Sequence, residues 1–394
     1  MDKLVYLTYP ALLILLAAGA KWYGKNQWNA DFMSLKQTKY LQGFFAICIM
    51  LHHIGQETCA EWQKYPLIPG LEFFVPIGYF FVAFYLMCSG FGLFKSYRSK
   101  PDYLKGFFRK RILPLILAFY STGLIFFFAR VLMKQPMNGW DIFCNISGWG
   151  LPDPYAWYVV ALPYFYLCFY LSFRFLKRDW MKISATILGV FLYTLLGTWI
   201  DHNNYWMRGE WWYNSVHLFW IGILFARFET QIVEHVKKHY LIYLIAAVAV
   251  TYVFFNLSLT AKNVYSYYGE YDPRLSHLMV VRNRWICLAA EMLASAGFAF
   301  CALLLNMKLK IGNRVLEFMG TITLEFYLIH GLFLEFFSYQ FCDVVPSITR
   351  IKNVALLIVV VLVPSLLSAV ALKKLHGWLP RLLTECKSRC KTNG

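Results

Sequence analysis

LQGFFAICIMLHHIGQ, residues 41–56, is apolar enough to lie in a membrane, yet it carries two adjacent histidines, His52 and His53. Ionisable groups are costly in hydrocarbon, so those that occur there face a bundle interior or a wet cavity and mark function. Whether this stretch spans a bilayer or crosses a soluble core decides the fold. The rest of the chain answers. It has 394 residues, of which 59% are hydrophobic and only 15% charged, against about a quarter charged in soluble domains. A polytopic membrane protein is expected.

A span needs roughly 20 mostly apolar residues. Eleven such stretches follow one another, at about 4–22, 39–57, 72–94, 112–133, 155–174, 183–200, 211–226, 240–258, 285–305, 318–337 and 353–372. The connections are mostly short, and no clear internal repeat or low-complexity tract interrupts them. The expected fold class is all-α, a polytopic transmembrane helical bundle in one domain covering 1–394, with a basic tail over 373–394. The first run, 4–22, lacks a small-residue cleavage site and reads as a span rather than a signal peptide.

The net charge of +17 would suit a nucleic acid, but its distribution argues otherwise. One set of alternate loops carries 27 Lys and Arg and the other set carries 9. That bias sets orientation by the positive-inside rule, with the C-terminus cytoplasmic and the N-terminus outside a plasma membrane. No nucleic acid partner is needed to explain it. Ten cysteines lie mostly inside apolar runs with no metal-ligand spacing, so buried thiols and no metal are expected.

Four groups of residues carry potential chemistry. Glu57 lies at i+4 from His53 on the same helical face, where a carboxylate favours one tautomer of a general base. The alternative is an interfacial histidine bonded to a neighbouring helix. YLKGFFRKRILPLILAF, 103–119, contributes Lys105, Arg109, Lys110 and Arg111, and 95–111 holds seven basic residues. These are either positive-inside punctuation or a grip for the phosphates of a cytosolic ligand. CSGFGLF, 88–94, offers Ser89 without a nucleophile elbow, and close helix packing at Gly90 is the favoured reading. TLEFYLIHGLFLE, 323–335, holds Glu325, His330 and Glu335; with Glu72 and Glu291 they read as a proton relay or as hydrogen bonds between helices. The aromatic loops 201–214 and 263–274 suit sugar rings, or an ordinary interfacial belt.

Together these pieces resemble the acyltransferase-3 family of integral membrane acyltransferases over residues 36–372. Lys39 followed by LQGFFAICIMLHH matches its early basic helix, and the ten residues from Gly43 select His53 over His52. Ser89-Gly90-Phe91 matches its Ser-Gly-Phe step. Arg109, Lys110, Arg111, Ile112 and Pro114 match its basic cluster. AWYVVAL around Trp157 resembles a third motif, and Gly320, Tyr327 and His330 stand in register with a late helix. Gln42 replaces the family's usual arginine, and 4–22 is extra to its ten-helix core. The resemblance implies transfer of an acyl group, most often acetyl, from acyl-CoA to a hydroxyl of an extracytoplasmic carbohydrate or glycan. In that scheme His53 is the base, oriented by Glu57, and His330 or a buried arginine stabilises the oxyanion. Lys39, Ser89, Lys105, Arg109, Lys110 and Arg111 hold the acyl-CoA. Trp157, Glu72 and Glu325 contact the acceptor. A proton-coupled transporter or flippase is the alternative. The sequence leaves oligomeric state open.

Overall fold

The computed structural model describes residues 3–62, 67–202, 205–265, 270, 272–338 and 351–392, with side chains as far as 379. Among them, thirteen α-helices carry almost all the ordered structure. A 3-10 turn, Lys3–Leu7, leads into α1 (Thr8–Ala17), followed by α2 (Leu35–Thr58) and α3 (Gly78–Ser99). A π-helical turn, Phe108–Ile112, opens α4 (Leu113–Leu132), with Pro114 just after it; a residue without an N–H is accommodated where the regular i→i−4 ladder is already interrupted. Then come α5 (Gly139–Ser147), α6 (Trp157–Phe175), α7 (Asp179–Trp199), α8 (Leu218–Arg227) and α9 (Glu229–Lys238). The chain ends with α10 (Tyr240–Val264), α11 (His277–Lys308), α12 (Arg314–Phe337) and α13 (Val354–Thr392).

Eight of these helices are long and apolar enough to cross a membrane: those of α3, α4, α6, α7, α10, α11, α12 and α13. The all-α polytopic bundle expected from hydropathy is the observed architecture. Central helices bury most of their surface, as α3 and α12 do, while α10 turns Leu241, Ile242, Ile245, Val248 and Tyr252 outward. Outward apolar side chains are what hydrocarbon selects, because backbone groups are satisfied within each helix.

Of the eleven stretches expected to span, those at 4–22, 39–57 and 211–226 are not among these eight; α2, which holds the second, carries Lys36, Lys39, His52 and His53. Several boundaries differ from the hydropathy reading as well. The stretch 211–226 is helical only over Leu218–Arg227, after a short 3-10 turn at Glu210–Trp212. Asn214 and Ser215 intervene, and such side chains compete for backbone groups and disfavour helix interiors. Residues 373–392 are no separate tail but continue α13. The first apolar run is helical over Lys3–Ala17 and is tied in at both ends. Tyr9 donates to the Gly70 carbonyl at 2.9 Å and stacks on Phe74, while Asn313 donates to Leu15 O at 2.8 Å and caps α12 through Leu316 N. Strands β1 (Lys21–Trp22) and β2 (Leu309–Lys310) pair antiparallel beside that cap.

Close helix contacts are made at glycine, as packing without a hydrophobic driving force requires. A Cβ on Gly90 would stand 1.8 Å from the Phe219 carbonyl oxygen, and one on Gly222 would stand 2.1 Å from that of Met87, which locks α3 to α8. At the α2–α12 crossing, a Cβ on Gly43 would meet the Gly320 amide nitrogen at 2.7 Å.

Candidate active site

Helices α2 and α12 both start at the Lys/Arg-rich end and run the same way. From the Gly43–Gly320 contact each rises ten residues, about 15 Å, to a histidine. There His53 Nδ1 lies 2.6 Å from His330 Nε2, with the two rings within 3° of parallel. Both side chains are buried, at 8% and 1% exposure. His330 Nδ1 sits 3.1 Å from the Phe326 carbonyl oxygen. A carbonyl only accepts, so neutral His330 carries its proton on Nδ1 and accepts through Nε2. His53 must then donate from Nδ1, which leaves its Nε2 with a free lone pair. The pair therefore fixes one tautomer of His53, the one a general base needs.

Tyr155 closes one face. Its ring stacks on His53 with centroids 4.0 Å apart, and its hydroxyl donates to Glu57 Oε1 at 3.4 Å. Among the described residues no hydrogen bond joins Glu57 to His53, so the partner that orients the imidazole is His330, reached across helices rather than along one. The Tyr327 hydroxyl donates to the Tyr155 carbonyl. Asp153 Oδ1 accepts the Tyr155 N–H at 2.9 Å, and its Oδ2 is buried with no hydrogen-bond partner among the described residues. Burial pushes the Asp153 carboxyl well above the usual carboxylate range, against the pull of that N–H. One turn and a half beyond His330, Glu335 is fully buried and ion-pairs with Arg130 of α4 at 2.7 Å.

His52 turns away. Its Nδ1 donates to the Phe74 carbonyl at 2.8 Å, and its ring lies against Gly78, where a Cβ would stand 2.3 Å from it. This histidine braces the start of α3.

At the opposite, basic end, Lys110 and Arg111 line a cleft of about 200 Å³ with Lys100, Pro101, Asp102, Tyr103 and Phe107. Arg111 lies over the Tyr103 ring at 5.7 Å. Lys105 and Arg109 are exposed and stand outside that lining. Ser89 shares a 2.9 Å hydrogen bond with the Tyr166 hydroxyl, itself within electrostatic range of Arg111. Lys39 is exposed in a recess whose neighbours include Cys88, Glu325 and Lys373.

The remaining sequence candidates lie apart from the histidine pair. Glu72 is exposed and accepts the Gly70 N–H at 3.0 Å, a local turn contact. Trp157 is buried at the start of α6 against Trp212. Glu325 bonds His376 of α13 at 3.2 Å. Tyr155, Asp153 and Arg130 were not singled out from sequence. Arg130 had a readable signal, a cation inside an apolar run; Tyr155 and Asp153, in a polar connection, had none.

A family model for an acyltransferase domain matches residues 36–373, nearly the whole chain. The chain belongs to the acyltransferase-3 family. It is a multi-pass membrane acyltransferase. No curated protein and no solved structure matches it. Within the matched region lie both histidines of the pair, Tyr155, the Arg130–Glu335 ion pair and the basic cleft.

Proposed function

We propose that this acyltransferase moves an acyl group, acetyl in the first instance, from acyl-CoA to a hydroxyl of a carbohydrate or glycan. The donor enters at the basic end, where the cleft lined by Lys110 and Arg111 offers charge-assisted hydrogen bonds to phosphates. The acceptor comes from the opposite end. His53 Nε2 removes the proton from the acceptor hydroxyl as its oxygen attacks the acyl carbonyl. General-base help of this kind contributes roughly 10²–10⁴ in rate. His330 holds His53 in register and tautomer, a positioning role.

The observation that carries this reading is the 2.6 Å His53–His330 contact, whose hydrogen-bond order leaves the lone pair on His53 Nε2. The 27-to-9 loop bias supports a cytoplasmic C-terminus, here in a plasma membrane; with that orientation the basic cleft faces the side where acyl-CoA is found.

The test is acyl transfer from labelled acetyl-CoA to carbohydrate acceptors by the purified full chain in detergent. His53→Ala is expected to lose transfer while still binding CoA. Full turnover in that variant removes His53 from the mechanism. A wild type that binds no CoA favours a transporter.

A further inference from the structure

Three side chains on three helices line up in the basic half of the bundle, outside the histidine pair. Ser121 Oγ of α4 lies 2.9 Å from Nε2 of His376 in α13, and His376 Nδ1 lies 3.2 Å from Glu325 Oε1 of α12. The side chains of His376 and Glu325 are only 9% and 10% exposed. Donor order again follows from chemistry. An ionised carboxylate only accepts, so His376 donates from Nδ1 and keeps a lone pair on Nε2. The Ser121 hydroxyl then donates to that lone pair. Its other acceptor, the Ala118 carbonyl one turn back, is longer at 3.2 Å. A hydroxyl bonded to an imidazole that is held by a carboxylate is the arrangement that activates a serine nucleophile, recognised by geometry and not by order in the chain.

Placement gives the triad a use. Glu325 precedes His330 by five residues on α12, about 7.5 Å along the axis toward the basic end. Lys39 lies within electrostatic range of Glu325 and Lys373 bonds the Thr321 carbonyl, so positive charge gathers on the same stretch. A thioester arriving from the basic cleft reaches the level of the triad before that of His53.

We propose that Ser121 is an acyl-carrying nucleophile, with His376 as its base and Glu325 as the positioning carboxylate. The inference rests on the acyltransferase reading and divides it into two steps. In the first, His376 Nε2 takes the Ser121 proton as Oγ attacks the thioester carbonyl. The carbon–sulfur bond breaks, the sulfur leaves with that proton as the free thiol of CoA, and the acyl group stays on Oγ as an ester. In the second, the acceptor hydroxyl gives its proton to His53 Nε2 and its oxygen attacks the ester carbonyl. The carbon–Oγ bond breaks, and the proton returns to Ser121 Oγ. Donor and acceptor then never occupy the site together.

The experiment incubates the purified full chain with acetyl-CoA and no acceptor, quenches in acid, and reads intact mass and peptides. Wild type is expected to release one equivalent of thiol per protein and to carry one acetyl group on Ser121. His53→Ala is expected to retain the ester when acceptor is added. Ser121→Ala and His376→Ala carry none, with melting temperatures in detergent near wild type. Glu325→Gln is expected to slow ester formation and displace its pH profile, which a merely structural contact would not do. Normal transfer by Ser121→Ala, or an acyl group on another residue, overturns the proposal and leaves the acyltransferase reading standing. A wild type that neither releases thiol nor transfers acyl with acceptor present sinks that reading itself.

Discussion

Gly43 of α2 and Gly320 of α12 meet backbone to backbone, and His53 and His330 each lie ten residues further along their helices. Because the helices run in parallel, the glycine contact sets both the spacing and the level at which the imidazoles meet. A side chain here has nowhere to go, since a Cβ on Gly43 already stands 2.7 Å from the Gly320 nitrogen. Gly43→Val is expected to cost about 1–3 kcal/mol of stability by overpacking. It should also part the histidines, lowering turnover more than the stability loss explains. Melting in detergent and acyl transfer on the same preparation check both.

With His330 positioning His53, as proposed, its replacements should differ by what they can accept. His330→Ala removes the acceptor for His53 Nδ1–H and is expected to reduce turnover by less than the roughly 10²–10⁴ of a lost base. His330→Gln retains a side-chain carbonyl and should recover part of that loss. Donor KM should change little in either. The check is a kcat and KM comparison of both variants.

Arg130 and Glu335 form the ion pair beside the histidines, with Glu335 Oε2 buried and without a hydrogen-bond partner among the described residues. Arg130→Ala strands a buried carboxylate and is expected to destabilise by about 3–5 kcal/mol. Adding Glu335→Gln to that variant removes the stranded charge and should restore much of the loss. A double-mutant cycle on unfolding in detergent reads the coupling.

Asp153 lies in the connection before α6, and burial raises its carboxyl above the usual range. The folded chain therefore holds this proton more tightly than the unfolded chain does. Stability contributed by the protonated form is full below the unfolded value, about 3.9, and falls as pH rises toward the folded one. Asp153→Asn keeps an oxygen for the Tyr155 N–H and removes the titration. It should match wild type at low pH and exceed it above the carboxylate range. Melting temperature against pH settles the sign.

Lys110 and Arg111 line the basic cleft while Lys105 is exposed outside its lining. A charge-assisted hydrogen bond is worth about 1.5–3 kcal/mol, roughly tenfold or more in binding. Lys110→Ala and Arg111→Ala are each expected to raise the KM for acyl-CoA by about that factor, and Lys105→Ala by much less. Initial rates against donor concentration distinguish them.

Much of the fold was legible because hydropathy and charge are local. Apolar runs near twenty residues marked eleven stretches, eight of which are helices long and apolar enough to cross a membrane, and the ten-residue step from Gly43 chose His53. Run length alone overextends 211–226, where Asn214 and Ser215 work against helix. Spacing of i+4 pairs His53 with Glu57, because that is all a single helix can show.

What the sequence by itself determined is therefore most of the long apolar helices, the basic end and the histidine worth following. Only the tertiary structure decided what each side chain bonds to. His53 meets His330 across 277 positions of sequence, and Ser121 meets His376 across 255. The physical reason is that neighbours within a helix are set by a fixed period, whereas neighbours between helices depend on where glycines let backbones touch. Hydrogen bonds read from those contacts then fix which nitrogen keeps its lone pair, and no spacing along the chain records that.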